Sequence, residues 1–177
     1  MLTASEVAVI ILQKTHKNGY QITNMKLQKL LYYCQGYYIA IHGERLFSDR
    51  IEAWEHGPVV PKVYHEYKSY GKNNIPPEEA VEIPEELVSF IDFIVRKTGN
   101  HTAHRLRAMS HEEAPYKKTA RRQEILPDLL NDFFTNLLWE DDEDLDDAPL
   151  FETPGEERKF FFDELTREEL DAIHSTR

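Results

Sequence analysis

The sequence predicts a mainly α-helical protein: a single domain of about six to seven helices carrying a small two-stranded β-hairpin, followed by an acidic C-terminal extension. Three observations predict this. Apolar residues recur at three- and four-residue spacing through most of the first 138 residues, as on the buried stripe of a helix. Alternation with period two, the mark of a half-buried strand, is confined to residues 46–54. The excess of acid lies at the end of the chain: residues 138–177 hold 15 of the 32 acidic side chains and 4 of the 21 basic ones, which leaves 17 of each in residues 1–137. At 177 residues and 41% hydrophobic content the chain can bury a real core. Its length suits one domain, residues 1–138, with an appendage, residues 139–177, better than two full domains.

The first helix starts at Ala4, because Thr3 and Glu6 have the spacing of a capping box in which each satisfies the other's free amide. Val7, Ile10 and Ile11 then share a face, and Asn18-Gly19 ends the helix. Thr23 caps the second helix, where Leu27, Leu30, Leu31, Cys34, Tyr38 and Ile41 form one apolar stripe. Its other face carries Lys26, Lys29, Tyr33 and Gln35 around Gly36, and a glycine inside a helix points to a close packing approach. Residues 46–47 and 51–54 read as the two strands of the hairpin around a Ser48-Asp49-Arg50 turn, with His56-Gly57-Pro58 breaking the second strand.

Pro61 suits the first turn of a third helix, which carries Val63, Tyr64, Tyr67 and Tyr70 and stops at Gly71. Residues 72–84, with Asn73-Asn74 and three prolines, form a loop. Helix resumes near Glu85 with Leu87, Phe90, Ile91, Ile94 and Val95 on its apolar face and ends at Gly99-Asn100. A shorter helix covers 103–109, and Leu126, Leu130, Phe133, Phe134 and Leu137 mark a last core helix beginning near Pro127. The acidic run at 140–147 repels itself and reads as a linker or mobile arm. Beyond it, three adjacent phenylalanines, Phe160, Phe161 and Phe162, and a Thr166/Glu169 capping box predict some structure in the tail.

Composition excludes several functions. Cys34 is the single cysteine, so there is no intramolecular disulfide and no thiolate metal cage, and the expected setting is the cytoplasm. The apolar run at 7–12 is too short to span a bilayer. A charge-neutral body argues against a nucleic-acid surface, which needs a basic stripe. His101, His104 and His111 have helical spacing for metal binding, but Arg105 and Arg107 between them repel a cation. There is no nucleophile elbow and no glycine-rich phosphate loop, so neither catalysis nor a cofactor is expected. What stands out is a concentration of tyrosines on residues 32–38 and 64–70, of a kind favoured at protein interfaces. The residues expected to meet a partner are Lys29, Tyr33, Tyr37 and Glu55, with Phe160, Phe161 and Phe162 as anchors; Trp54, His56, Pro58 and His111 are expected to be structural.

The blocks at 25–38 (Met-Lys-Leu-Gln-Lys-Leu-Leu-Tyr-Tyr-Cys-Gln-Gly-Tyr-Tyr) and 51–64 (Ile-Glu-Ala-Trp-Glu-His-Gly-Pro-Val-Val-Pro-Lys-Val-Tyr) resemble the Panacea-domain family of SocA-like antitoxins and phage-associated proteins. A second block at 106–116, Leu-Arg-Ala-Met-Ser-His-Glu-Glu-Ala-Pro-Tyr, is similar too, with Tyr116 where tryptophan is common. The resemblance covers about residues 3–138. It implies a helical domain with a small hairpin that binds and neutralises a co-encoded protein toxin in bacteria or their phages by direct contact. It also implies two alternatives: an adaptor delivering the toxin to an ATP-dependent protease, or a phage counter-defence protein. It supplies no catalytic residues. Combined with the acidic tail, it leads to the expectation of a toxin that is basic where residues 140–165 touch it.

Overall fold

The computed structural model describes residues 1–79 and 81–140, with side chains as far as Leu138. The expected acidic arm, the Phe160–Phe162 anchors and the capping box at 166–169 lie outside the described residues. Seven α-helices and one two-stranded antiparallel sheet make up the described chain: α1 (Ala4–Lys17), α2 (Asn24–His42), β1 (Glu52–Trp54), β2 (Gly57–Val59), α3 (Pro61–Tyr67), α4 (Glu85–Thr98), α5 (Ala103–Glu112), α6 (Ala114–Lys117) and α7 (Pro127–Glu140). A 3-10 turn, Lys68–Tyr70, continues α3.

Local signals set the helix ends. The Thr3 amide donates to Glu6 Oε2 at 2.7 Å and the Glu6 amide to Thr3 Oγ1 at 3.3 Å, closing the expected capping box. The Thr3 amide, together with the Thr3 hydroxyl, which also donates to Glu6 Oε2 at 2.7 Å, holds the Glu6 carboxyl below its ordinary range. Thr23 caps α2 by accepting from the Lys26 amide, and Gly43, at φ 71°, ends it in the left-handed conformation. α6 is a four-residue helix that the sequence did not announce; Pro115 starts it without needing an amide partner.

α2 is the axis. α1, α3, α4, α5, α7 and β2 all pack on it, and from Asn24 to Tyr37 only Met25 escapes burial. Of the expected stripe, Leu27, Leu30, Leu31 and Cys34 are fully buried while Tyr38 and Ile41 are half-buried, and the opposite face is buried too, with Lys26, Lys29, Tyr33 and Gln35 all under 7% exposed. Gly36 has the packing role expected of it, met by a ring rather than by backbone. A Cβ there would overlap the Phe134 ring of α7, which sits edge-on to Tyr32, Tyr33 and Tyr37 at centroid distances of 5.5, 6.1 and 4.7 Å. In α7, Leu130 and Phe134 are buried, whereas Leu126, just before the helix, is 54% exposed.

The hairpin is displaced from its expected place. Glu52 pairs with Val59, Ala53 with Pro58 and Trp54 with Gly57, so the turn is Glu55-His56 and the Gly57-Pro58 dipeptide begins the second strand instead of breaking the first. Glycine serves here because Gly57 has φ 96°. The other edge of β1 is occupied by residues 122–125: Arg122 N donates to Ala53 O (2.7 Å), Ala53 N to Gln123 O (3.0 Å) and Ile125 N to Ile51 O (2.8 Å). Leu46 and Phe47, expected as the first strand, pair with the chain start: Leu2 N donates to Leu46 O and Ser48 N to Leu2 O, both at 3.0 Å.

Gly36→Ala gains about 1 kcal/mol of helix propensity but overpacks a ring held on three sides, an effect of about 1–3 kcal/mol in the other direction. The net expectation is a lower denaturant midpoint with an unchanged slope. Phe134→Leu costs stability by itself, but it costs less in the Gly36→Ala background than in the wild type if the ring is the obstacle, so equal costs in the two backgrounds contradict the assignment.

Candidate partner-binding face

The polar side chains of α2 are used to hold irregular backbone. Gln35 Oε1 accepts from the amides of Leu46 (3.0 Å) and Phe47 (3.1 Å), while its Nε2 donates to Phe47 O (3.0 Å). About two turns earlier, Gln28 Oε1 accepts from Val60 N (2.9 Å) and its Nε2 donates to Asn24 Oδ1 (3.0 Å); Asn24 Nδ2 in turn donates to Tyr64 O (3.0 Å). Lys29 Nζ donates to Pro58 O at 2.8 Å. Lys26 Nζ donates to Gln21 O (3.1 Å) and Gly99 O, tying the loop before α2 to the end of α4. Buried donors and acceptors left unpaired cost about 1–3 kcal/mol each, so this set of bonds fixes where the hairpin and α3 must lie.

Beside Lys29 the α5–α6 junction contributes Glu113, whose two carboxylate oxygens accept from Tyr32 OH (2.7 Å) and Tyr33 OH (2.8 Å). Burial raises the Glu113 carboxyl above its usual range against the pull of those two hydroxyls and of Lys29. Burial lowers the Lys29 ammonium to about 7, Arg107 adding repulsion and Glu113 opposing. The Tyr32 and Tyr33 phenols are raised by burial and by the carboxylate they bond. A Cβ on Gly57 would come within 2.8 Å of Lys29 Nζ and 3.0 Å of Ser110 Oγ, so α2, β2 and α5 meet here without spare room. The arrangement is a packed polar junction and offers no place for a substrate.

Above this junction the hairpin tip reaches the surface. Glu55 is exposed there and accepts from Arg121 Nη2 at 2.7 Å, both side chains being 67% exposed. Ala53, Glu55, Tyr116, Lys117, Thr119 and Arg121 line a shallow depression of about 370 Å³. Tyr116 OH donates to Trp54 O (2.8 Å), and its ring stacks on His111 at 4.5 Å, joining the depression to α5. His111 is lowered by burial and by Arg107, Lys29 and His56 near it. Arg107 Nε and His111 Nε2 are buried without hydrogen-bond partners.

Of the residues expected to meet a partner, Glu55 is at this surface. Lys29, Tyr33 and Tyr37 are 1%, 2% and 4% exposed, so they present no side chain to a partner. They belong to the interior because their polar atoms face buried ones from other elements, or, for Tyr37, because the ring packs on Phe134. Phe160, Phe161 and Phe162 lie outside the described residues. Among those expected to be structural, Pro58 is buried, and Trp54 donates to Glu52 Oε2 (2.8 Å) and packs on Tyr64. His111 is half-buried, whereas His56 is exposed at the hairpin tip. Sequence reasoning missed Glu113, Gln28 and Gln35. The one signal was their position in a block of family-like residues, since spacing cannot reveal a partner such as the Tyr33 hydroxyl 80 positions away. Among the described residues no group of three or more His, Cys, Asp or Glu converges to hold a metal ion, and no helix is long and apolar enough to cross a membrane.

Residues 27–117, from the first turn of α2 to the end of α6, match the family described as Antitoxin SocA-like, Panacea domain, a narrower span than 3–138. The chain is also similar to Antitoxin SocA of Caulobacter vibrioides (strain NA1000 / CB15N), with 38% identity over 72 residues, 41% of this chain and 38% of that protein. The alignment thus spans well under half the length of that relative. No solved structure matches.

Two measurements probe the junction. Between about pH 7 and its unfolded value of 10.5, Lys29 is neutral in the fold and charged in the unfolded chain, which then binds more protons, so stability rises with pH. The stability difference between the wild type and Lys29→Met therefore moves in favour of the wild type as pH goes from 7 to 9.5, and a pH-independent difference contradicts the assignment. Glu113→Gln leaves two tyrosine hydroxyls competing for one amide oxygen, and a loss of about 1–3 kcal/mol in denaturant unfolding at pH 7 is expected.

Proposed function

This chain belongs to the Antitoxin SocA-like, Panacea domain family, and we propose that it neutralises a cognate protein toxin by direct binding, without turnover, using the face around Glu55. The observation that supports this reading most is the division of labour within the matched segment. Its buried polar residues are bonded into the fold, while Glu55 at the hairpin tip and Tyr116 and Lys117 of α6 border an open, polar depression. Such a face suits recognition of another protein better than enclosure of a small molecule, which needs a deep and mostly apolar site. Tyr116 in its lining supplies a half-buried aromatic ring of the kind that anchors interfaces. The extension, residues 139–177, supplies a second contact for a basic patch on the toxin, with Phe160, Phe161 and Phe162 as apolar anchors. The setting of this reaction is the bacterial cytoplasm.

The test is co-expression with the product of the adjacent gene. A stoichiometric complex and rescue of growth are expected, with rescue retained in cells lacking ATP-dependent proteases; rescue lost in those cells establishes delivery to a protease instead. Within that complex Glu55→Lys weakens binding about tenfold, or ~1.4 kcal/mol. Its melting temperature stays close to wild type, because an ion pair this exposed contributes about 0–1 kcal/mol to the fold. Unchanged affinity removes Glu55 from the interface.

A further inference from the structure

The body is neutral as a whole but not locally. Residues 103–123 hold six Lys or Arg side chains, Arg105, Arg107, Lys117, Lys118, Arg121 and Arg122, against two glutamates. One of these, Glu113, is buried and bonded to two tyrosines; the other, Glu112, pairs with Lys117 at 2.6 Å. Glu55 from the hairpin pairs with Arg121. Lys118 and Arg122 are exposed and, among the described residues, have no ion-pair partner. Arg122 is also the one described non-glycine residue with positive φ, 64°, a turn held by its amide bond to Ala53 O at 2.7 Å. Lys117 and Arg121 line the depression, and Lys118 and Arg122 adjoin them in sequence on exposed positions.

We propose that the acidic run at 141–147 of the same chain occupies this basic face around Lys117, Lys118, Arg121 and Arg122. Charge complementarity selects it: six of those seven residues are Asp or Glu. Chain connectivity makes it reachable. α6, which ends at Lys117, packs directly on α7, and the acidic run follows α7 without interruption after Glu140. At about 3.3 Å per extended residue the seven residues span roughly 23 Å, against about 21 Å for the 14-residue α7, so the run lies alongside α7 and α6 and only its far end can reach as far back as the start of α7. Tethering raises the local concentration of the segment to the order of millimolar, so weak exposed pairs suffice for occupancy. One consequence rests on the antitoxin reading: a partner that binds near Glu55 and Arg121 has to displace the acidic run, and a basic partner does so by taking the run for itself. A second body segment, residues 78–92, has six acidic residues and no Lys or Arg, which makes a second copy the competing occupant.

Zero-length carbodiimide cross-linking of the full chain, read by peptide mass spectrometry, decides between them. Expected are amide links from Lys117 or Lys118 to carboxylates of 141–147, falling several-fold when salt is raised from about 20 mM to about 500 mM, where screening shortens to a few ångströms. The double variant Arg121→Glu, Arg122→Glu keeps both reporter lysines and is expected to lower the yield several-fold with circular dichroism unchanged. Links only to Glu112 overturn the proposal, as do links to residues 78–92 or an unchanged yield in the double variant. A mixture of ¹⁴N and ¹⁵N protein giving isotopically mixed links assigns the face to a second copy and overturns it equally. Cross-links as expected without capture of the adjacent gene product leave the docking standing and remove the antitoxin reading; capture without the cross-links does the reverse.

Discussion

The fold depends on one requirement: the buried backbone on either side of β1, at residues 46–47 and 58–60, packs against α2 and finds hydrogen bonds there that its own strands do not supply. Gln35 takes three of them, Gln28 and Lys29 one each, and Asn24 reaches the backbone of α3. An apolar α2 would bury the same area and leave those amides and carbonyls unpaired. The long polar side chains thus do for the hairpin what a neighbouring strand does in a larger sheet, and the two-stranded unit, marginal in isolation, becomes part of the core.

The same requirement explains why two ionisable groups sit in the interior. Lys29 is held by a carbonyl and Glu113 by two phenols, so each is bonded first to neutral partners and only secondarily to the other's charge. Burial shifts both toward their neutral forms, in opposite directions on the pH scale. Their value is directional. Any other placement of β2 or of the α5–α6 junction strands a charged donor or acceptor, and the absence of room between Gly57, Lys29 and Ser110 leaves no small displacement available.

The helices were legible because their signals are local. The Thr3/Glu6 box, the Thr23 cap and the stripes of α4 and α7 need no knowledge of what they pack on. What failed to read correctly failed for two physical reasons. Periodicity identifies a polar face but not its surroundings, so Lys29 and Tyr33 looked like surface residues when their partners, Pro58 O and Glu113, lie 29 and 80 positions away. Gly57-Pro58 looked like a strand breaker because composition does not show that Pro58 O would be taken by a lysine from a helix. The family resemblance reached the right family, whose model matches residues 27–117, yet it could not say which of those residues face outward.

Glu55 and Arg121 come from opposite sides of β1, one at the tip it makes with β2 and the other next to the segment 122–125 that closes its second edge. Both are therefore presented by hydrogen-bonded backbone, which lowers the ordering cost of binding. Their pair contributes little to the fold because it is open to water, and for that reason it is easily exchanged. An incoming carboxylate can replace Glu55 at Arg121, or an incoming cation can replace Arg121 at Glu55, without disturbing the buried bonds of α2 beneath. On the proposed reading, a rigid base under an exchangeable surface separates stability from recognition: substitutions at the tip leave Gln28, Lys29, Gln35 and Glu113 holding the same fold.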